Sequence, residues 1–297
     1  MKGKLTLPKD VDGKVPAVVL VHGSGSTAGS MNGTLFDNSP FRDIAEYLSS
    51  HGIAVIRYDK RTFAHALKIV ELQKRTGDLT LFDETIEDAI LATEILKSDQ
   101  RINSGKVFIA GLSMGGMLAP RIHTEGGNYA GIISLSGSPR SIHDIVFDQQ
   151  MKYWESMPDS DEKDYALSLA YKERYDAEIE SLLNLPDDEA VKMVLAGGVT
   201  AYYYKDWEKI STPEYVKNIT IPFLIMQGSA DFQVFADKDF VAWQELLTGR
   251  QNVTFKLYEG LNHIFMKSTT GDMEEYKIPG HVDAQVLADI ADWIKAN

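Results

Sequence analysis

The chain is predicted to adopt an α/β fold in which a wound, mostly parallel sheet is flanked by helices and interrupted by a helical insertion. Three observations carry that prediction. Short apolar, β-branched runs alternate with helix-spaced segments up to residue 139, as crossover connections between parallel strands require. The turn Gly111-Leu112-Ser113-Met114-Gly115 directly follows the apolar run at 107–110 and directly precedes a helix-like stretch at 117–123. Strand, tight turn and helix form the setting of a nucleophile elbow. From about Arg140 to Pro213 no good strand pattern appears, yet charged helical stretches do, and such a length is hard to treat as a loop.

The elements follow in order. Residues 16–21 (Pro-Ala-Val-Val-Leu-Val) suit a strand buried on both faces. A helix over 41–50 places Ile44, Ala45 and Leu48 on one side, Gly52 ends it, and 53–56 begins the next strand. The segment 61–80 is charged and poorly patterned, which predicts an excursion over the surface. Ile86, Ala89, Ile90, Ala92, Thr93 and Leu96 mark a helix over 85–96. Strands are expected at 107–110 and 131–136, and helical stretches at 161–183 and 187–195 within the insertion. The sheet resumes at 221–226, with a helix near 237–247, a strand at 253–258 and a closing amphipathic helix at 282–295. The predicted organisation is a core of 1–139 and 214–297 with a helical cap at 140–213.

Composition narrows the function. The 297 residues carry a net charge of -13, so phosphate backbones and anionic membrane surfaces are repelled and no nucleic-acid partner is expected. The chain contains no cysteine, which removes thiolate nucleophiles, disulfides and cysteine-ligated metals. Residues 1–10 lack an apolar signal region, and no run approaches the roughly 18 apolar residues of a membrane span. A cytoplasmic protein without a membrane partner is expected. There is no His-Glu-x-x-His and the acidic residues are dispersed, so neither a metal nor a cofactor is expected.

A serine hydroxyl needs a base, and the base needs a carboxylate to orient it. Asp231, in Gln227-Gly228-Ser229-Ala230-Asp231, and His263, in Leu261-Asn262-His263, each follow an apolar strand. With Ser113 they give the chain order Ser, Asp, His, and residues at strand exits meet at one edge of a parallel sheet. Asp59 also follows a strand but is expected to form structural ion pairs. Tetrahedral intermediates need two donors aimed at the oxyanion. The backbone N–H of Met114 and that of Ser24, in His22-Gly23-Ser24-Gly25, are the candidates.

Together with Arg57-Tyr58-Asp59-Lys60-Arg61, these motifs resemble the α/β-hydrolase superfamily, in particular bacterial carboxylesterases related to dienelactone hydrolases and feruloyl (cinnamoyl) esterases. The resemblance spans nearly the whole chain outside the insertion. It implies the α/β-hydrolase fold, Ser113 as nucleophile, His263 as base, Asp231 as its orienting acid, and the amides of Ser24 and Met114 as oxyanion donors. Many relatives carry an acidic stretch after His-Gly-Ser-Gly, whereas this chain has Ser26-Thr27-Ala28-Gly29-Ser30, so the substrate contacts of that loop do not transfer.

The expected activity is hydrolysis of small to medium, including aromatic feruloyl-like, carboxylic esters through an acyl-enzyme. The insertion is rich in aromatics: Tyr153, Trp154, Tyr165, Tyr171, Tyr175, Tyr202, Tyr203, Tyr204 and Trp207. Such side chains wall an apolar, planar pocket, and Tyr202, Tyr203, Tyr204 and Trp207 are the expected substrate contacts. Two alternatives stand beside the esterase: a peptidase or amidase of the prolyl-oligopeptidase-like type, since Gly115-Gly116 also occurs there, and a small-molecule receptor retaining a hydrolase site. An apolar face on the insertion would offer a homodimer surface.

Overall fold

The computed structural model describes residues 2–9, 11–25, 29–169, 172–195 and 198–297. Its first half runs β1 (Gly3–Thr6), β2 (Val15–Val21), α1 (Pro40–Ser50), β3 (Ala54–Tyr58), α2 (Arg61–Ala64), α3 (Ala66–Thr76), α4 (Glu87–Ser98), β4 (Ile102–Leu112), α5 (Met114–Ile122) and β5 (Ile132–Leu135). Helices α6 (Ile142–Ser156), α7 (Asp161–Leu169), α8 (Lys172–Leu183), α9 (Asp187–Ala190), α10 (Ala201–Glu208) and α11 (Thr212–Lys217) follow. The chain then completes the sheet with β6 (Phe223–Gly228), α12 (Val241–Leu246), β7 (Val253–Tyr258) and α13 (Ala284–Ala296).

The described strands form one sheet in the order β1-β3-β2-β4-β5-β6-β7. Every pairing is parallel except that of β1 with β3, where Gly3 faces Tyr58 and Thr6 faces Val55. Burial explains the strand sequences. Ala17, Val18, Val19, Leu20 and Val21 of β2 are all fully buried, as a parallel strand covered on both faces must be. Helix α1 starts with a proline at its first turn and buries Phe41, Ile44, Ala45 and Leu48, a stripe of the helical period. Because β4, β5, β6 and β7 are adjacent and parallel, their C-terminal ends share one edge.

The α/β class and the mostly parallel sheet agree with expectation; several elements differ. The edge strand β1 carries no periodic signal in four residues. Residues 61–76 of the expected surface excursion form helices α2 and α3; neither buries a residue, in keeping with a surface course, so there is no buried stripe to read. The helical stretch expected at 187–195 stops at Ala190, after which Val194 bridges to Thr200 and the Leu195 amide reaches Val199 O at 2.8 Å.

The chain divides into two compact units, one of residues 1–69, 82–139 and 212–297, the other of residues 70–81 and 140–211. Within the second unit Thr200 Oγ1 donates to Gly77 O at 2.7 Å and accepts from Gln73 Nε2 at 3.1 Å, so residues 70–81 are tied into it. No helix among the described residues is long and apolar enough to cross a membrane.

Candidate active site

Ser113 stands between β4 and α5 with φ 56° and ψ −121°, a sparsely populated positive-φ conformation that costs of order 1–3 kcal/mol for a residue with a Cβ. The glycines around it are there because nothing larger fits. A Cβ on Gly115 would lie 2.5 Å from Val21 O and 2.7 Å from His22 O, and one on Gly116 would lie 2.9 Å from Gly111 O. The Ser113 amide donates to Leu135 O at 2.8 Å, and its carbonyl accepts from Gly116 N at 2.9 Å and Met117 N at 3.0 Å. These bonds hold the turn at the exit of β4, on the N-terminal end of α5, where the helix dipole favours developing negative charge.

Hydrogen bonds carry the sheet ladder beyond β6 and β7. Ser229 N donates to Tyr258 O at 2.8 Å and Ala230 N to Leu261 O at 3.0 Å. This brings two strand exits together, and His263 Nδ1 meets Asp231 Oδ2 at 2.8 Å. Both residues are buried. The remaining capacity of Asp231 is filled: Gln227 Nε2 donates to Oδ2 at 2.7 Å, and the amides of Gln233 and Val234 donate to Oδ1 at 2.8 and 3.0 Å. A carboxylate so held leaves one imidazole orientation, with Nδ1–H given to Asp231 and Nε2 as the acceptor by assignment of the network.

The loop after β7 is itself anchored, through residues that the sequence did not single out. Asn262 Oδ1 accepts the amides of Ile264 and Met266 at 3.2 and 3.1 Å, and Asn262 Nδ2 donates to Glu275 Oε2 at 2.9 Å. Glu275 Oε1 accepts from Ser268 Oγ and from the amides of Thr269, Thr270 and Gly271 at 2.5 to 2.9 Å. Burial works against the charge of Glu275, but bonds from Ser268, the Gly271 amide, Asn262 and the Thr269 amide outweigh it and bring the carboxyl down to about 2. Phe265, two residues beyond His263, is held at φ 60° by this network. No recognisable motif announces Glu275; the amides and side chains that converge on it give it a role.

The two candidate oxyanion donors come from different segments, Met114 from the elbow and Ser24 from the loop after β2. Met114 is the first residue of α5, so its N–H has no partner within the helix. Ser24 is exposed, and Gly23 before it packs on the nucleophile: a Cβ built on Gly23 would lie 3.1 Å from Ser113 Cβ and 3.6 Å from Ser113 Oγ. The structure thus joins Asp231 to His263 and Gly23 to Ser113. A hydrogen bond between Ser113 Oγ and His263 is not among those it forms; such contacts are often long before substrate binds.

Asp59 departs from expectation. It forms no ion pair among the described residues; its Oδ1 accepts the Met31 amide at 2.8 Å. The ion pairs of that stretch belong to Lys60 with Glu84 and to Arg61 with Glu87 and Asp88. Tyr202, Tyr203, Tyr204 and Trp207 all lie on α10 in the second unit. Tyr203 is buried and meets Trp207 edge to face, with centroids 5.8 Å apart. Tyr202, with Leu183, Asp187 and Lys205, lines a cavity of about 380 Å³ within that unit. Tyr171 lies outside the described residues, as do Ser26, Thr27 and Ala28. Among the described residues, His143, Asp144 and Asp176 bring three ligand atoms within 4.8 Å of one another. Lys172 Nζ already pairs with both of those carboxylates, which supplies a cation from the chain itself.

Comparison with known proteins bears on this geometry. Residues 14–269 match the Hydrolase_4 family, described as serine aminopeptidase, S33. The chain is 36% identical over 298 aligned positions to the esterase EstD of Thermotoga maritima; the match covers 99% of this chain and 65% of EstD. The chain therefore spans about two thirds of the length of that relative. Among solved structures, Est1E of Butyrivibrio proteoclasticus with ferulic acid bound superposes with a TM-score of 0.59 at 18% identity, covering 99% of this chain and 94% of the other. The Pyrococcus furiosus esterase Pf2001 gives 0.55 at 17%, covering 99% and 90%. At these identities the two structures establish the shared α/β-hydrolase fold.

Proposed function

The chain belongs to the serine aminopeptidase S33 family of α/β-hydrolases, and from that membership we propose that it is a serine carboxylesterase. The observation that carries the reading is the Asp231–His263 hydrogen bond of 2.8 Å at the sheet edge where Ser113 sits on its strained elbow. The esterase name of EstD supports the same bond type.

In this mechanism Ser113 Oγ attacks the ester carbonyl carbon while His263 Nε2 takes the hydroxyl proton, and Asp231 steadies the imidazolium through Nδ1–H. The carbonyl oxygen becomes an oxyanion held by the N–H groups of Ser24 and Met114. Its collapse expels the alcohol, which receives the proton from His263, and leaves an acyl-Ser113 ester. Water, deprotonated by His263, then releases the acid and restores the hydroxyl. We extend the proposal to medium and aromatic acyl groups because Est1E, which shares this fold, is known with ferulic acid bound.

Ser113→Ala should lower kcat by roughly 10³-fold or more on p-nitrophenyl butyrate. An organophosphonate probe should label Ser113, as peptide mapping would read. An unlabelled Ser113, or an alanine variant of undiminished kcat, defeats the assignment. The family description favours a second reading, an aminopeptidase or amidase. Comparing acetyl, butyryl, octanoyl and feruloyl esters with aminoacyl p-nitroanilides separates the two: higher kcat/KM on anilides would replace the esterase reading while leaving the same residues in their roles.

A further inference from the structure

We propose that Lys60 is a positioning residue for the oxyanion site, acting through the Gly23–Ser24 peptide. The inference rests on the serine-hydrolase reading above and assigns a role to a buried lysine that the triad does not use. Lys60 is 1% exposed. Its Nζ donates to Gly23 O at 3.1 Å and also pairs with Glu84 Oε1. Its backbone N–H donates to Gly29 O at 2.6 Å, and the neighbouring Asp59 Oδ1 accepts the Met31 amide at 2.8 Å. Two consecutive residues after β3 therefore fasten the loop after β2 at Gly23 and again at Gly29 and Met31.

The side-chain bond has a directional consequence. A peptide unit is planar and trans, so its C=O and N–H point to opposite sides. With the Gly23 carbonyl drawn onto the Lys60 ammonium, the Ser24 N–H faces the other way, away from the buried ion pair. Gly23 itself lies against Ser113, as the 3.6 Å from its ideal Cβ position to Ser113 Oγ requires. The donor is thus aimed before substrate arrives, which is the condition under which an oxyanion donor needs no reorganisation during reaction. The ammonium also polarises the peptide it binds, strengthening the N–H on the far side. Glu84 makes the buried cation tolerable, since an ammonium without a partner in this position would carry the full penalty of desolvation.

The test uses Lys60→Met, which keeps the stem and removes the donor, and Lys60→Met/Glu84→Leu, which also removes the carboxylate left behind. Both are assayed for kcat and KM on p-nitrophenyl butyrate, and for inhibition by an alkyl trifluoromethyl ketone, whose carbonyl forms a tetrahedral adduct with a serine. Loss of a well-aimed donor should lower kcat about 10- to 100-fold, with KM changed by less than about twofold, and should raise the inhibition constant of the ketone by the same factor as kcat falls. Lys60→Arg should recover part of both. A merely structural lysine would leave kcat and ketone affinity of the folded protein unchanged. That outcome overturns the proposal, as does a double variant with wild-type kcat. If Lys60→Met does not fold, Glu84→Gln loosens the same clamp with the lysine in place; kcat and ketone affinity should fall together, and no change in either overturns the role. Ser113→Ala run alongside separates the premises. Full activity there removes the serine-hydrolase reading, whereas an inactive Ser113→Ala beside an unaffected Lys60→Met removes this inference alone.

Discussion

Gly115 illustrates how single atoms hold the elbow. The missing Cβ would meet backbone on both sides, Val21 O at 2.5 Å and His22 O at 2.7 Å, and neither can swing aside as a flexible side chain would. Gly115→Ala must therefore part α5 from the exit of β2, at a cost of about 1–3 kcal/mol for overpacking, and it displaces the His22-Gly23 turn that packs on Ser113. Gly249→Ala is the contrast: φ is 79° there and nothing lies within 4 Å of the ideal Cβ, so only the backbone cost of about 1–2 kcal/mol applies. Urea unfolding and ester kinetics on both variants check this. We expect both to lose stability and only Gly115→Ala to lose kcat; equal kcat in the two would refute the steric account. Residues of this kind are legible in sequence because the chemistry imposes a local spelling, Gly-x-Ser-x-Gly after a strand. Asp231 and His263 are legible for a related reason, since each follows a strand and parallel strands end together. Lys60 and Glu275 are not, because what defines them is a partner 37 residues away in one case and a set of converging amides in the other.

The loop after β7 shows the same limit one level up. Its sequence offers a histidine after a strand, but its shape comes from Glu275 gathering the donors of residues 268–271 and Asn262. Glu275 is lowered from an ordinary 4.5 to about 2, so its charge contributes stability that is complete above the unfolded value and is lost as pH falls toward the folded one. Glu275→Gln should therefore lower Tm at pH 7 by roughly 5 °C, from loss of about 1–3 kcal/mol of buried hydrogen bonding. The gap to the parent should close between pH 4.5 and about 2. Calorimetry across that range reads it, and a gap constant down to pH 2 would show that the charge is not its source. Because Asn262 adjoins His263, kcat should fall with Tm at neutral pH. Elements whose apolar residues are buried in a regular stripe, such as α1, were legible; α3, with none buried, and β1, four residues at an antiparallel edge, had no periodic burial to betray them.

At the scale of the whole molecule the two compact units differ in what they bury. In the first, β2, β5 and β6 are buried almost throughout, and α5 buries eight of its nine residues. In the second, α6 buries Ile145 alone among fifteen residues, α8 buries none, and α10 buries Ala201 and Tyr203. Burial of apolar surface is the main favourable term in folding, roughly 25 cal/mol per Å², so local stability should follow it. The Arg174–Glu178 pair on α8 does little to make up the difference: it is more than 60% exposed on both sides, and exposed pairs contribute about 0–1 kcal/mol. Native-state hydrogen exchange should accordingly find amides of α6, α8 and α10 opening in a sub-global step with a small denaturant dependence, while amides of β4, β5 and β6 exchange only with global unfolding. Equal protection and equal denaturant dependence in both sets would mean that the second unit is stabilised by something other than its own buried surface. A smaller opening energy in α6, α8 and α10 would leave Ser113, Asp231 and His263, all carried by the first unit, in the geometry set by the strands that hold them.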